Sequence, residues 1–173
     1  IFFIYLLIFL KIYIYFKDYK LVPLVYILIS FIFFLLIDFN QEIYIKFNLF
    51  ILVVITFDIF SYIVGKSFGK IKLIKISPNK TIEGLLGGLF LSFFSAIFFA
   101  YYLNLSINFQ LLFYIFLIII SAFTGDLIES FFKRMNSLKN SSEFIPGHGG
   151  VFDRFDSFLF SIIVYSISII FLK

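Results

Sequence analysis

Between Thr124 and Asp156 the chain gathers most of the side chains that could do polar chemistry: Asp126, Glu129, Lys133, Arg134, Lys139, His148, Asp153, Arg154 and Asp156. Asp126, Glu129 and Lys133 are spaced so that a helix would put them on one face. Asp153 and Asp156 lie three apart, where a long apolar stretch begins. Carboxylates at the edge of an apolar span are costly unless hydrated, paired or bound to a cation. Aspartates with lysines and arginines nearby suit hard divalent cations and phosphate oxygens. The plainer reading is that so charged a loop is simply solvated. Pro146-Gly-His-Gly-Gly150 weighs against it, because glycines let the backbone approach a ligand and exposed N–H groups ahead of a helix favour anions. His148 is the only histidine. It is either a general base, or a structural hydrogen-bonder or phosphate contact.

A second segment runs from Asp58 through Gly65-Lys-Ser-Phe-Gly-Lys70 to Ser77-Pro-Asn-Lys-Thr-Ile-Glu-Gly84. Asp58 is a carboxylate inside an apolar span, which is a functional position by default; the alternative is a partner for a nearby lysine. Gly65–Gly69 lacks the spacing of a phosphate-binding loop. Lys80 and Glu83 flank an expected helix start, where Glu83 also complements the positive end of the helix dipole. The lysines at 66, 70, 72 and 75 read as determinants of membrane orientation.

The elements that must carry these residues follow from composition. Of 173 residues, 62% are hydrophobic and 14% charged, with a mean hydropathy of +1.11. A soluble domain carries about 25% charged residues, so the chain reads as a membrane protein. The absence of cysteine excludes disulfides, thiolate metal sites and cysteine nucleophiles. The net charge of +4 lies between apolar stretches, which points to a membrane surface or a phosphate-bearing substrate and away from nucleic acid.

The fold class expected is an all-α polytopic membrane protein with about six transmembrane helices. Apolar stretches near 1–16, 21–37, 47–65, 82–103, 107–125 and 155–172 approach the ~20 residues that a span requires. In lipid each span must satisfy its own backbone hydrogen bonds, and runs such as Leu111–Ile120 do not alternate as a barrel strand would. Lys17, Lys20, Lys66, Lys70, Lys72, Lys75, Lys80, Lys133, Arg134, Lys139 and Arg154 fall in odd-numbered loops, against Lys46 and Lys173 on the other side. The odd loops, which hold all the candidate chemistry, are therefore expected to be cytoplasmic. With no internal repeat or low-complexity linker, the chain reads as one unit: N-terminal spans over 1–46 and the chemistry-bearing membrane portion over 47–173.

Ser130-Phe-Phe-Lys-Arg134, Lys139 and Pro146-Gly-His-Gly-Gly-Val-Phe-Asp-Arg-Phe-Asp156 resemble the signature of the phosphatidate cytidylyltransferase (CDP-diacylglycerol synthase) family. Asp58, Ser61-Tyr62 and the run from Gly65 to Gly88 resemble the same family's earlier motif. One position departs: Asn140 stands where the family has Asp after Lys139. The resemblance implies transfer of CMP from CTP to phosphatidate, giving CDP-diacylglycerol and pyrophosphate. It implies Mg²⁺, as one or two ions, on Asp126 and Asp153 with Asp156 as a third carboxylate. Lys133, Arg134, Lys139 and Arg154 would meet phosphates, alongside His148. Ser77, Lys80, Thr81, Glu83, Gly149, Gly150 and Asp58 would line the substrate pocket. It further implies membrane lipids as surroundings, no nucleic-acid partner, a homodimer, and a further N-terminal membrane portion ahead of Ile1. Competing readings are a carboxylate-based transporter, another transferase acting on a lipid phosphate, and a degenerate family member.

Overall fold

The computed structural model describes residues 21–74, 77–135 and 155–171. The expected span over 1–16 lies outside them. Among the described residues, five helices and one small hairpin follow in order: α1 (Leu21–Leu35), α2 (Gln41–Phe68), β1 (Lys72–Ile74), β2 (Ser77–Thr81), α3 (Ile82–Tyr102), α4 (Phe109–Met135) and α5 (Asp156–Phe171). Helices α2, α3 and α4 are long and apolar enough to cross a membrane; α1 and α5 are shorter apolar helices. The protein is a membrane protein of mostly helical architecture.

The helix ends follow local chemistry. Asn40 caps α2 by accepting from the Ile43 N–H at 2.9 Å, and Thr81 caps α3 by accepting from the Gly84 N–H at 3.1 Å. Side-chain oxygens at these positions satisfy donors that have no partner within the helix. Helices α2 and α4 run past the apolar stretches expected over 47–65 and 107–125, reaching Phe68 and Met135. Polar residues beyond the apolar run, such as Lys66 and Lys133, continue the helix because the last turns need no lipid contact.

The segment between α2 and α3, expected as a lysine-bearing loop, contains an antiparallel hairpin pairing Lys72 with Thr81 and Ile74 with Ser77. Two contacts tie it to the helices. The Ile82 N–H donates to the Ile71 carbonyl at 3.0 Å, and the Ile71 N–H donates to the Glu83 carboxylate at 3.2 and 3.3 Å.

The core lies between α2, α4 and α5. Leu49, Phe50, Val53 and Phe57 of α2 meet Ile115, Ile118, Ile119 and Ala122 of α4 and Ile162, Ile163 and Tyr165 of α5. Phe47, Phe50, Phe158 and Tyr165 pack as a ring cluster with centroids 4.8–5.6 Å apart, the spacing at which aromatic pairs attract beyond simple burial. Tyr165 also donates to the Ile43 carbonyl at 3.0 Å, so its hydroxyl is not stranded in the core. Ser166 ties α5 to α1 by donating to the Phe33 carbonyl at 3.0 Å.

Helix α3 meets α2 differently. Gly84, Gly88, Ser92, Ala96 and Ala100 repeat every fourth residue and are all buried. Small residues on one stripe let two backbones approach closely where lipid provides no hydrophobic drive. A Cβ on Gly84 would lie 2.7 Å from the Ser61 carbonyl oxygen and 2.9 Å from the Gly65 Cα. Gly65, whose run lacks the spacing of a phosphate loop, is thus a helix-packing residue.

Candidate active site

At one end of the bundle, the last turns of α2 and α4 meet the first turns of α3 and α5 under the hairpin. A cavity of about 680 Å³ opens there, lined among others by Asp58, Tyr62 and Lys66 of α2, Ser77, Lys80 and Thr81 of β2, Phe123 and Asp126 of α4, and Asp156 of α5. Lys80 forms an ion pair with Asp126, and both side chains are largely buried. Lys80 also lies over the Phe123 ring at 5.6 Å, within cation–π range. Asp58 accepts a hydrogen bond of 2.5 Å from the Ser157 hydroxyl, and Asp156 accepts from the Ser157 N–H at 2.7 Å. Asp58, Asp126 and Asp156 are near enough to act on one another electrostatically, and Lys80 acts on both Asp58 and Asp156. Among the described residues, Asp58, Asp126 and Asp156 gather around the Lys80 ammonium and leave the cavity rich in hard oxygen donors.

Gly125 explains how two of these carboxylates come together. A Cβ there would fall 2.7 Å from the Asp156 carbonyl oxygen and 3.0 Å from the Phe160 Cβ. Only a residue without a side chain lets the start of α5 lie on α4, and that approach brings Asp156 beside Asp126. Gly125→Ala should therefore force the two helices apart. The expected cost is about 1–3 kcal/mol, the usual range for overpacking, together with a loss of activity as Asp156 moves. Thermal unfolding in detergent reads the first effect, and an unchanged midpoint would contradict the close approach.

A family model described as the cytidylyltransferase family matches residues 1–172. The chain belongs to the cytidylyltransferase family. It is 46% identical over 122 residues to the phosphatidate cytidylyltransferase of Staphylococcus haemolyticus, covering 69% of this chain and 46% of that protein. The Staphylococcus aureus (strain COL) protein of the same name is 46% identical over 113 residues, which is 64% of this chain and 43% of the relative. The Bacillus subtilis protein of that name is 47% identical over 107 residues, 58% of this chain and 38% of the relative. The chain spans less than half the length of these curated relatives.

For this cytidylyltransferase-family chain, the structure brings together Asp58, Ser77, Lys80, Thr81, Asp126 and Asp156 of the residues singled out from sequence. Three others stand apart from the cavity lining. Glu83 turns to the Ile71 N–H and holds the base of the hairpin. Lys133 pairs at 2.5 Å with Glu129, whose side chain is fully buried. Arg134 is exposed in the last turn of α4. Lys139, His148, Gly149, Gly150, Asp153 and Arg154 lie outside the described residues, as does Asn140.

Sequence reasoning passed over Ser157, which holds Asp58, and Tyr62 with Lys66, which line the cavity mouth. For Ser157 the signal was its place directly after Asp156: a carboxylate in an apolar span needs a donor, and a hydroxyl in the first turn of a neighbouring helix supplies one. For Tyr62 and Lys66 it was the spacing Asp58, Tyr62, Lys66, which stacks all three on one face of α2.

Among the described residues, no three Asp, Glu, His or Cys side chains converge closely enough to hold a metal ion by themselves. The donor chemistry nonetheless fits Mg²⁺. That ion is usually held by one or two carboxylates, with water and substrate phosphates completing its shell, and Asp126 and Asp156 line one cavity.

Proposed function

We propose that this chain carries the catalytic portion of a phosphatidate cytidylyltransferase, which joins CTP and phosphatidate to give CDP-diacylglycerol and pyrophosphate. The observation that carries the reading is the convergence of Asp58, Lys80, Asp126 and Asp156, from four separate elements, on one cavity at the bundle end. Family membership and the names of the relatives support it.

The reaction needs no protein nucleophile, since the phosphate of phosphatidate is already an anion. One of its oxygens forms a bond to the α-phosphorus of CTP. The bond from that phosphorus to the bridging oxygen of the β-phosphate breaks, and pyrophosphate leaves with the electron pair. The difficulty is bringing two polyanions together and stabilising the leaving group, so electrostatic positioning dominates. Asp126 and Asp156, with Asp153, are the residues that would hold Mg²⁺; when bound, the ion supplies charge neutralisation on phosphate oxygens. Lys80 neutralises phosphate charge at the cavity wall. Ser77 and Thr81 present hydroxyls, and Asp58, fixed by Ser157, orients groups on the floor. Lys139 and Arg154, with His148, Gly149 and Gly150, serve the phosphates from the segment between α4 and α5.

The cavity faces the cytoplasm in this reading, since the lysine-rich connections lie at that end. The lipid keeps its acyl chains between spans of a six-helix chain working as a homodimer. Purified protein in detergent, given labelled CTP and phosphatidate, is expected to release CDP-diacylglycerol with Mg²⁺ and none with EDTA. Product without any divalent cation would remove the metal from the scheme. No product from this chain, but product from Asn140→Asp, would mark it as a degenerate member.

A further inference from the structure

Among the described residues, three aromatic rings line the candidate active site: Phe57, Tyr62 and Phe123. Their situations differ. Phe57 is buried in the core at 2% exposure. Phe123 already has Lys80 over its ring. Tyr62 is 67% exposed, with Lys66 lying 5.7 Å from its ring centroid.

Tyr62 is also placed by α2 at a particular height. It follows Asp58 by four residues and precedes Lys66 by four, so the three form one row from the cavity floor to its mouth. Each step rises ~6 Å along the helix axis. That is comparable to the reach from a nucleobase through its ribose to the α-phosphate. A nucleotide with its phosphates at the level of Lys80 and the aspartates therefore brings its base to the level of Tyr62.

Exposed tyrosines on membrane proteins commonly sit in the interfacial belt and touch lipid. Tyr62 differs in sharing a cavity with the charged cluster, where a flat polar ligand has more to gain than an acyl chain. We propose that Tyr62 is the stacking platform for the nucleobase of the nucleotide substrate, with Lys66 bracing the ring. This rests on the cytidylyl-transfer reading and adds to it a specificity-determining residue on α2. Stacking tolerates any base, so Tyr62 contributes affinity for a nucleoside triphosphate over an inorganic polyphosphate.

The chain contains no tryptophan, so Tyr62→Trp introduces a sole indole at this position. In the detergent-purified chain, CTP is expected to quench its fluorescence saturably, and inorganic triphosphate is expected to leave it unchanged. Retention of labelled CTP by wild type and variant is measured alongside by equilibrium dialysis. If CTP is retained while the indole stays silent, the stacking role is overturned and the cytidylyl reading stands. Quenching by phosphatidate vesicles and not by CTP overturns it too, placing Tyr62 against lipid. If neither protein retains CTP, both readings fall. In turnover, Tyr62→Ala should raise KM for CTP by roughly tenfold, on the scale of base–aromatic stacking, and leave KM for phosphatidate unchanged. Tyr62→Phe should restore KM for CTP; failure of that rescue would show that the hydroxyl, and not the ring face, is what matters.

Discussion

Asp126→Asn should lower kcat by about 10³-fold or more, the scale on which removing a preorganised charged or polar group from developing charge is felt. The substitution keeps the shape of the side chain and removes its charge, so the cavity loses a hard oxygen donor and Lys80 loses its ion-pair partner. A folding defect of the same size would confuse the result, and the energetics argue against one. Exposed ion pairs contribute about 0–1 kcal/mol, and breaking a fully buried pair costs about 3–5 kcal/mol. Lys80 and Asp126 retain 21% and 27% side-chain exposure at an open cavity, so the stability cost lies between those limits. A 10³-fold rate loss corresponds to about 4 kcal/mol in the barrier. Thermal unfolding and turnover measured on one preparation separate the two effects. Near-normal turnover in a folded Asp126→Asn protein would remove Asp126 from the chemistry.

Lys80→Met is expected to have the second largest effect, with kcat/KM for CTP reduced by about 10²–10³-fold. Methionine keeps the length and apolar stem of lysine, so packing against Phe123 is largely retained. What disappears is the ammonium set among Asp58, Asp126 and Asp156. An approaching triphosphate then meets these carboxylates without the Lys80 charge between them. Lys80→Arg should recover only part of the loss, because a planar guanidinium does not reproduce a compact ammonium at a shaped site. Kinetics varied in CTP and in phosphatidate show which substrate depends on Lys80, and unchanged constants for both would make its pairing with Asp126 purely structural. The Mg²⁺ concentration needed for half-maximal activity adds a further readout. If Asp126 holds Mg²⁺ as proposed, Lys80 competes with the ion for it, so any residual turnover of Lys80→Met should need less Mg²⁺ than Lys80→Arg.

Much of the fold was legible in the apolar runs. Stretches expected at 21–37 and 82–103 appear as α1 over Leu21–Leu35 and α3 over Ile82–Tyr102. The ends of α2 and α4 were harder to read, because run length records where lipid contact stops and not where the backbone ladder stops. The hairpin at Lys72–Thr81 was not legible at all. Its strands are three and five residues long, and it is held by the Ile82 N–H and the Glu83 carboxylate, contacts that no periodicity announces. Glu83 itself was expected near the helix start, and it is there; its carboxylate supports the hairpin from outside the cavity lining. Asp126, Glu129 and Lys133 do share a helix, the condition under which their spacing puts them on one face. Tertiary contacts then divide them, sending Asp126 to Lys80 and Glu129 to Lys133.

By itself the sequence determined that this chain forms membrane helices and that its charges collect at their ends, because burying an unpaired charge or an open backbone in lipid is too costly to be hidden by any packing. It also determined the family, through the motifs over 58–88 and 130–156 that resemble the family's signature. Only the tertiary structure decided which charges meet. Asp58 and Ser157 are separated by 99 positions and share a hydrogen bond, and Lys80 takes Asp126 as its partner although Asp58 and Asp156 also attract it. Those choices depend on how closely helices approach. Here that distance is set by the missing side chains of Gly84, Gly88 and Gly125, whose effect appears only once the helix facing each of them is known.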